Sequence, residues 1–217
     1  MTVRIALIHA LVHSPAPINA ALARDWPHAV RMNLLDDSLS ADLARSGALD
    51  ERMTQRFLAL ADYAVGTGAD AILFTCSAFG PCIDAVKARH AGIPVLKPNE
   101  AMVDEAVALA AGTPIGLLAT FGPTLQTMPP EFPATAVLRT ALAEGAMAAL
   151  DAGDVDTHDR LAVQAALRLA DQGCRVIALA QFSLARARDA VAAATGLPVL
   201  TTPDSAVARL KALLGTG

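Results

Sequence analysis

The feature that most restricts the fold is a repeat. Residues 92–109 read GIPVLKPNEAMVDEAVAL and residues 196–213 read GLPVLTTPDSAVARLKAL, so a Gly-Ile/Leu-Pro-Val-Leu core with a following helix start recurs at a spacing of 104 residues. The segments around the two copies keep the same order. In the first half, residues 3–9, 29–34, 71–75 and 92–96 read as buried strands, the second of them weak. In the second half, residues 114–120, 135–141, 175–180 and 196–200 do the same. Helical stretches separate many of them. Asp50 is placed to cap a helix in which Met53, Phe57, Leu60 and Ala64 share one face. Others run from residue 77 to about residue 91, from 98 to about 111, over 144–150 and 159–171, from 183 to about 195, and over 203–214. His158 and Asp159 fall in a first helical turn, with Asp156 or Thr157 as the expected cap.

Strand–helix alternation predicts parallel sheets joined by right-handed crossovers. The duplication predicts an α/β chain of two pseudo-symmetric lobes, each a four-stranded parallel sheet flanked by helices.

Composition narrows the function classes. Of 217 residues, 54% are apolar and only 4% aromatic, which suits alanine-rich helices packed on sheets better than an aromatic-rich sandwich. The net charge of −4 is spread along the chain, with no basic cluster to follow phosphates, so nucleic acid is not an expected partner. The uncharged stretch 106–130 is long enough to span a bilayer, but Gly112-Thr113-Pro114 and Gly122-Pro123 interrupt it. It reads as a helix end followed by a buried strand, and no membrane partner is expected. Cys76, Cys82 and Cys174 form no Cys-x-x-Cys pair and no even set. A reducing, cytoplasmic location is the expectation. The first ten residues read as a strand rather than a signal peptide.

In parallel sheets, ligands bind beyond the carboxyl ends of the strands. That rule singles out Ser14, Thr75-Cys76-Ser77, Thr120, Thr124 and Gln181-Phe182-Ser183. Cys76 stands where a buried strand gives way to a helix, and a thiol at a helix N-terminus is expected to favour the thiolate. A buried structural cysteine is the competing reading. Cys82 lies inside the following helix, and Cys174 precedes its strand at the opposite end. Thr120-Phe121-Gly122-Pro123-Thr124 offers hydroxyls and N–H groups to a carboxylate, or is an ordinary Gly-Pro turn. His9 and His13 lack acidic or cysteine companions, so no metal site is expected. Neither G-x-G-x-x-G nor G-x-x-x-x-G-K-[ST] occurs.

Phe74-Thr75-Cys76-Ser77, Leu118-Ala119-Thr120 with Thr124, Gly153-Asp154, His158-Asp159 and Leu179-Ala180-Gln181-Phe182-Ser183 together resemble the aspartate/glutamate racemase superfamily. That superfamily includes hydantoin racemases, maleate isomerases and arylmalonate decarboxylases. The resemblance covers nearly the whole chain. It implies an active site in the cleft between the lobes, no cofactor, a possible homodimer, and a last helix packed back on the first lobe, so that the expected division is residues 1–98 plus 203–217 for the first lobe and residues 99–202 for the second. It also implies two catalytic cysteines, one per lobe, on opposite faces of a substrate α-carbon. By position, Cys76 is the first thiol with Ser77 beside it, and Thr120 and Thr124 are carboxylate contacts. The local match, with a slip of two residues, sets Cys76-Ser77 against Phe182-Ser183, so Phe182 occupies the expected place of the second cysteine. The resulting expectation is a racemase- or isomerase-like enzyme acting at the α-carbon of a small carboxylate or amino acid, with Cys76 as acid/base. A one-cysteine decarboxylase of the arylmalonate type and a non-catalytic carboxylate-binding homologue are the alternatives.

Overall fold

Runs such as Ile5-Ala-Leu-Ile8, Ala71-Ile-Leu-Phe74, Ile115-Gly-Leu-Leu-Ala119 and Val176-Ile-Ala-Leu179 are apolar at every position. A strand of that kind is stable only when covered on both faces, as in a parallel sheet with helices on each side. The structure, a computed structural model, describes residues 2–215 and shows two such sheets. The chain divides into two units. Unit 1 holds residues up to Pro98 and again from Ala206, and unit 2 holds Asn99–Ser205.

Unit 1 contains β1 (Arg4–His9), α1 (Pro15–Asp25), β2 (Val30–Leu35), α2 (Ser38–Ser46), α3 (Glu51–Gly66), β3 (Ala71–Phe74), α4 (Gly80–Arg89) and β4 (Val95–Leu96). Unit 2 contains α5 (Glu100–Ala110), β5 (Ile115–Ala119), α6 (Thr124–Thr127), β6 (Leu138–Leu142), α7 (Ala146–Asp151), α8 (Val155–Asp171), β7 (Val176–Leu179), α9 (Arg188–Thr195) and β8 (Val199–Thr201). The last helix, α10 (Thr202–Leu214), starts in unit 2, and from Ala206 onward it belongs to unit 1. There the Lys211 ammonium donates to the Asp25 carbonyl at the end of α1, 2.8 Å away. The sheets run in the orders β2-β1-β3-β4 and β6-β5-β7-β8, parallel throughout.

The core of unit 1 is built around Phe57, Phe74 and Phe79, none more than 2% exposed. The Phe57 ring stacks on Phe74 with centroids 5.4 Å apart and tilts against Phe79 at 4.9 Å. Burying each such ring contributes about 1.5–3 kcal/mol. Unit 2 packs smaller residues at its centre. Ala162, Ala165 and Ala166 of α8 are wholly buried, and a Cβ on Gly116 of β5 would lie 2.8 Å from Ile177 Cδ1 and 3.1 Å from Leu169 Cβ.

Several helices and boundaries depart from the sequence expectation. The segments between β1 and α3 contain two helices, α1 and α2, that hydrophobic periodicity does not reveal. The sixth strand starts at Leu138 rather than at residue 135. Asp154, not Asp156 or Thr157, caps α8, its carboxylate accepting from the Thr157 N–H at 3.1 Å. Asp50 caps α3 as expected, accepting from the Met53 N–H at 2.7 Å. Among the described residues no helix is long and apolar enough to cross a membrane.

Candidate active site

In each sheet the chain leaves the first strand toward one edge and then returns to its other side for the third. The carboxyl ends of these two strands therefore flank a topological switch point, where open α/β sheets bind ligands. In unit 1 the switch point carries His9 at the end of β1 and Thr75-Cys76 just beyond β3. In unit 2 it carries Ala119-Thr120 and Ala180-Gln181.

His9 is fully buried, and both ring nitrogens are engaged. Nδ1 lies 2.9 Å from Thr75 Oγ1 and Nε2 lies 3.0 Å from Asn33 Oδ1. Asn33 Oδ1 also accepts from the Asn19 amide at 2.8 Å. Nε2 must therefore donate, which leaves Nδ1 to accept the Thr75 hydroxyl proton. Burial lowers the His9 pKa, and the bond to Asn33 opposes that shift. The imidazole is thus neutral and its tautomer is set by the network.

Cys76 follows Thr75 directly and is partly exposed as a residue. Its side chain borders a crevice too tight for a water molecule, formed with His9, Ala10, Leu39, Phe57 and Phe74. Burial pushes the thiol up, while the Ala78 N–H and the Ser40 hydroxyl pull the other way. The expectation of a thiol tuned toward thiolate by a helix N-terminus is not met. Cys76 precedes only a three-residue 3-10 turn, Ser77–Phe79, and α4 starts one turn later at Gly80. A turn of that length carries little dipole, and desolvation wins. Ser40 also donates to the Ala10 carbonyl at 3.0 Å, which ties α2 to the end of β1.

In unit 2, the Gln181 amide oxygen accepts from the Thr120 N–H at 2.6 Å and from the Thr120 hydroxyl at 2.9 Å. Thr120 thus directs both donors at a neighbouring side chain. The ladder also corrects the equivalence between the two halves. Within the repeated Pro-Val-Leu segments, Leu96 pairs with Leu73 and Leu200 pairs with Ala178. Three residues further along, Cys76 matches Gln181, and Phe182 matches Ser77. The backbone agrees, since Cys76 (φ −131°, ψ 120°) and Gln181 (φ −143°, ψ 146°) are both extended and both precede a 3-10 turn. Gln181, not Phe182, holds the place of the thiol.

The remaining candidates separate by unit. Ser14 is buried at the head of α1, and Ser77 opens the turn after Cys76. Thr124 is buried at the start of α6, while Phe182, 5% exposed, and Ser183 lie in the 3-10 turn Phe182–Ala187. Cys82 and Cys174 are core residues, the former against Thr54 Oγ1 at 3.6 Å. Among the described residues no group of three or more His, Cys, Asp or Glu side chains is placed to hold a metal ion. His9, Asn33 and Ser40 belong to this site without having been read as part of it. An ionisable residue ending an all-apolar strand was the available signal for His9, whereas Ser40 sits on a helix the pattern conceals.

Residues 16–210 match the Asp/Glu/Hydantoin racemase family. No curated protein matches the chain by sequence. Among solved structures, the allantoin racemase of Klebsiella pneumoniae superposes with a TM-score of 0.73 at 16% identity, covering 98% of this chain and 87% of that one. A glutamate racemase from Bacillus anthracis gives 0.72 at 13% identity, covering 98% and 81%. Unliganded arylmalonate decarboxylase gives 0.69 at 16% identity, covering 100% and 94%. These likenesses establish the shared fold of two four-stranded parallel sheets flanked by helices. With the family match over nearly its whole length, this chain belongs to the Asp/Glu/hydantoin racemase family.

Proposed function

We propose that the chain is a cofactor-independent enzyme that moves a proton at the α-carbon of a small carboxylate, with Cys76 as its acid/base. The observation that carries this reading is the thiol at the switch point of unit 1, fixed beside the His9–Thr75 pair. A thiol raised by burial rests protonated at neutral pH, so it is prepared to donate a proton to a carbanion or enolate.

Gln181 at the equivalent place in unit 2 can neither take nor return a proton. That favours one-thiol chemistry over symmetric two-thiol racemisation. In a decarboxylation, the bond from the α-carbon to the carboxylate breaks, CO2 leaves, and the Cys76 thiol protonates the carbanion. In a same-face exchange, the thiol first loses its proton to solvent, and the minor thiolate fraction so formed removes the α-proton and then returns one to the same side.

The test is deuterium incorporation at the α-carbon, together with CO2 release, for amino acids and 2-substituted malonates in D2O. Positioned proton transfer contributes about 10²–10⁴-fold, so Cys76→Ala is expected to lower the rate by at least about a hundredfold. A Cys76→Ala protein as active as the unaltered chain refutes the assignment.

A further inference from the structure

We propose that Gln181 is the carboxylate-binding residue of unit 2, its amide held by Thr120 so that the NH2 group faces the ligand. The inference deepens the α-carbon reading above and rests on it for the ligand class. It starts from a match of donors and acceptors. The Thr120 N–H and hydroxyl converge on one oxygen, Gln181 Oε1, at 2.6 and 2.9 Å. Two converging donors are the arrangement that captures a carboxylate oxygen. Here an amide oxygen already fills it.

A carboxamide is a relay. Fixing its oxygen at one end fixes two N–H donors at the other. Among the described residues Gln181 Nε2 has no hydrogen-bond partner, and the side chain is half-buried rather than spread into solvent. The donor pair of Thr120 is in effect carried forward by the length of an amide. Ladder register sets that amide at the place where unit 1 carries Cys76. Thr120 is then a positioning residue. Gln181 supplies its two N–H donors to the carboxylate of the ligand.

Gln181→Glu separates this role from a structural one. A glutamate keeps the acceptor for both Thr120 donors, so a purely structural Gln181 tolerates it. A glutamate also removes the N–H donors and sets a negative charge against the ligand. The measurement is calorimetric binding of malonate, glutamate and 2-phenylpropionate, each to the full chain in a Cys76→Ser background. That background removes the proton-transfer chemistry, so this test and the activity test fail independently. The expected result is a melting temperature close to that of the parent and a loss of affinity of at least tenfold at neutral pH. As pH falls through the glutamate range, near 4.3, affinity relative to the parent at the same pH should recover. Binding by Gln181→Glu within twofold of the parent at every pH overturns the proposal. So does a parent that binds none of the three probes at millimolar concentration.

Discussion

Replacing His9 with leucine should cost about 2 kcal/mol, and the cost should shrink in acid. Leucine is close to histidine in volume, so no large cavity forms. What goes is the pair of hydrogen bonds at 2.9 Å to Thr75 and 3.0 Å to Asn33, each worth about 1 kcal/mol. Asn33 keeps its bond from Asn19 at 2.8 Å, but the Thr75 hydroxyl is left with only a long 3.4 Å contact to the Ile8 carbonyl. That poorly satisfied group adds roughly 1 kcal/mol, and the extra apolar burial of leucine returns a similar amount. For a chain of this size, a net loss of about 2 kcal/mol lowers the melting temperature by about 4–8 °C. The pH dependence has a definite sign. Burial holds the folded His9 below its ordinary value of 6.5, so the unfolded chain takes up the proton first. The stability contributed by neutral His9 is complete above about pH 6.5 and is lost as pH falls toward the folded value. His9→Leu lacks that loss, so its deficit should narrow between pH 8 and pH 5 in thermal unfolding followed by circular dichroism. A variant as stable as the parent at pH 8, or a deficit that widens in acid, refutes this account of the network.

Two other perturbations probe the scaffold and its control of the thiol. Gly116→Ala places a Cβ 2.8 Å from Ile177 Cδ1 and 3.1 Å from Leu169 Cβ. Overpacking of this kind costs about 1–3 kcal/mol, so thermal unfolding should start several degrees lower, and a more stable variant would show that α8 is not pressed against β5. Arg56 bonds Asp36 and Ser38 at 2.6 Å and Asp42 at 2.5 Å, clasping both the approach to α2 and its body. Arg56→Met should free α2, lift Leu39 and Ser40 from Cys76, and raise the rate of iodoacetamide alkylation several-fold. In the parent that rate should be slow at pH 7 and climb only above pH 9, as burial of the thiol requires. Equal rates in the two proteins would mean that α2 does not shield the sulfur.

The legible part of the fold was its strands. All-apolar runs and the duplicated Pro-Val-Leu segment are strong signals because a parallel sheet buries both faces. Helices α1 and α2 were hidden for the opposite reason. Of the nine residues of α2 only Leu39 is fully buried, so no apolar stripe marks it. The strand ends that carry the candidate site were legible from the apolar runs that lead into them. The short repeat pairs Phe182 with Cys76, whereas hydrogen-bond register along the ladders sets Gln181 there. The charge state of Cys76 was misread because strand-to-helix position does not tell a 3-10 turn from an α-helix. Only the latter has the dipole to offset burial.

The division of α10 between the units bears on the order in which the molecule is completed. Unit 2 is continuous from Asn99 to Ser205 and has all its parts once that stretch leaves the ribosome. Unit 1 precedes unit 2 along the chain but awaits the segment from Ala206 onward, whose Lys211 reaches back across 186 positions to Asp25. Domains generally fold as units during synthesis, earliest first. Here the unit whose first strand emerges earlier is finished after its neighbour, and the thiol-bearing sheet matures only once the segment from Ala206 has been made.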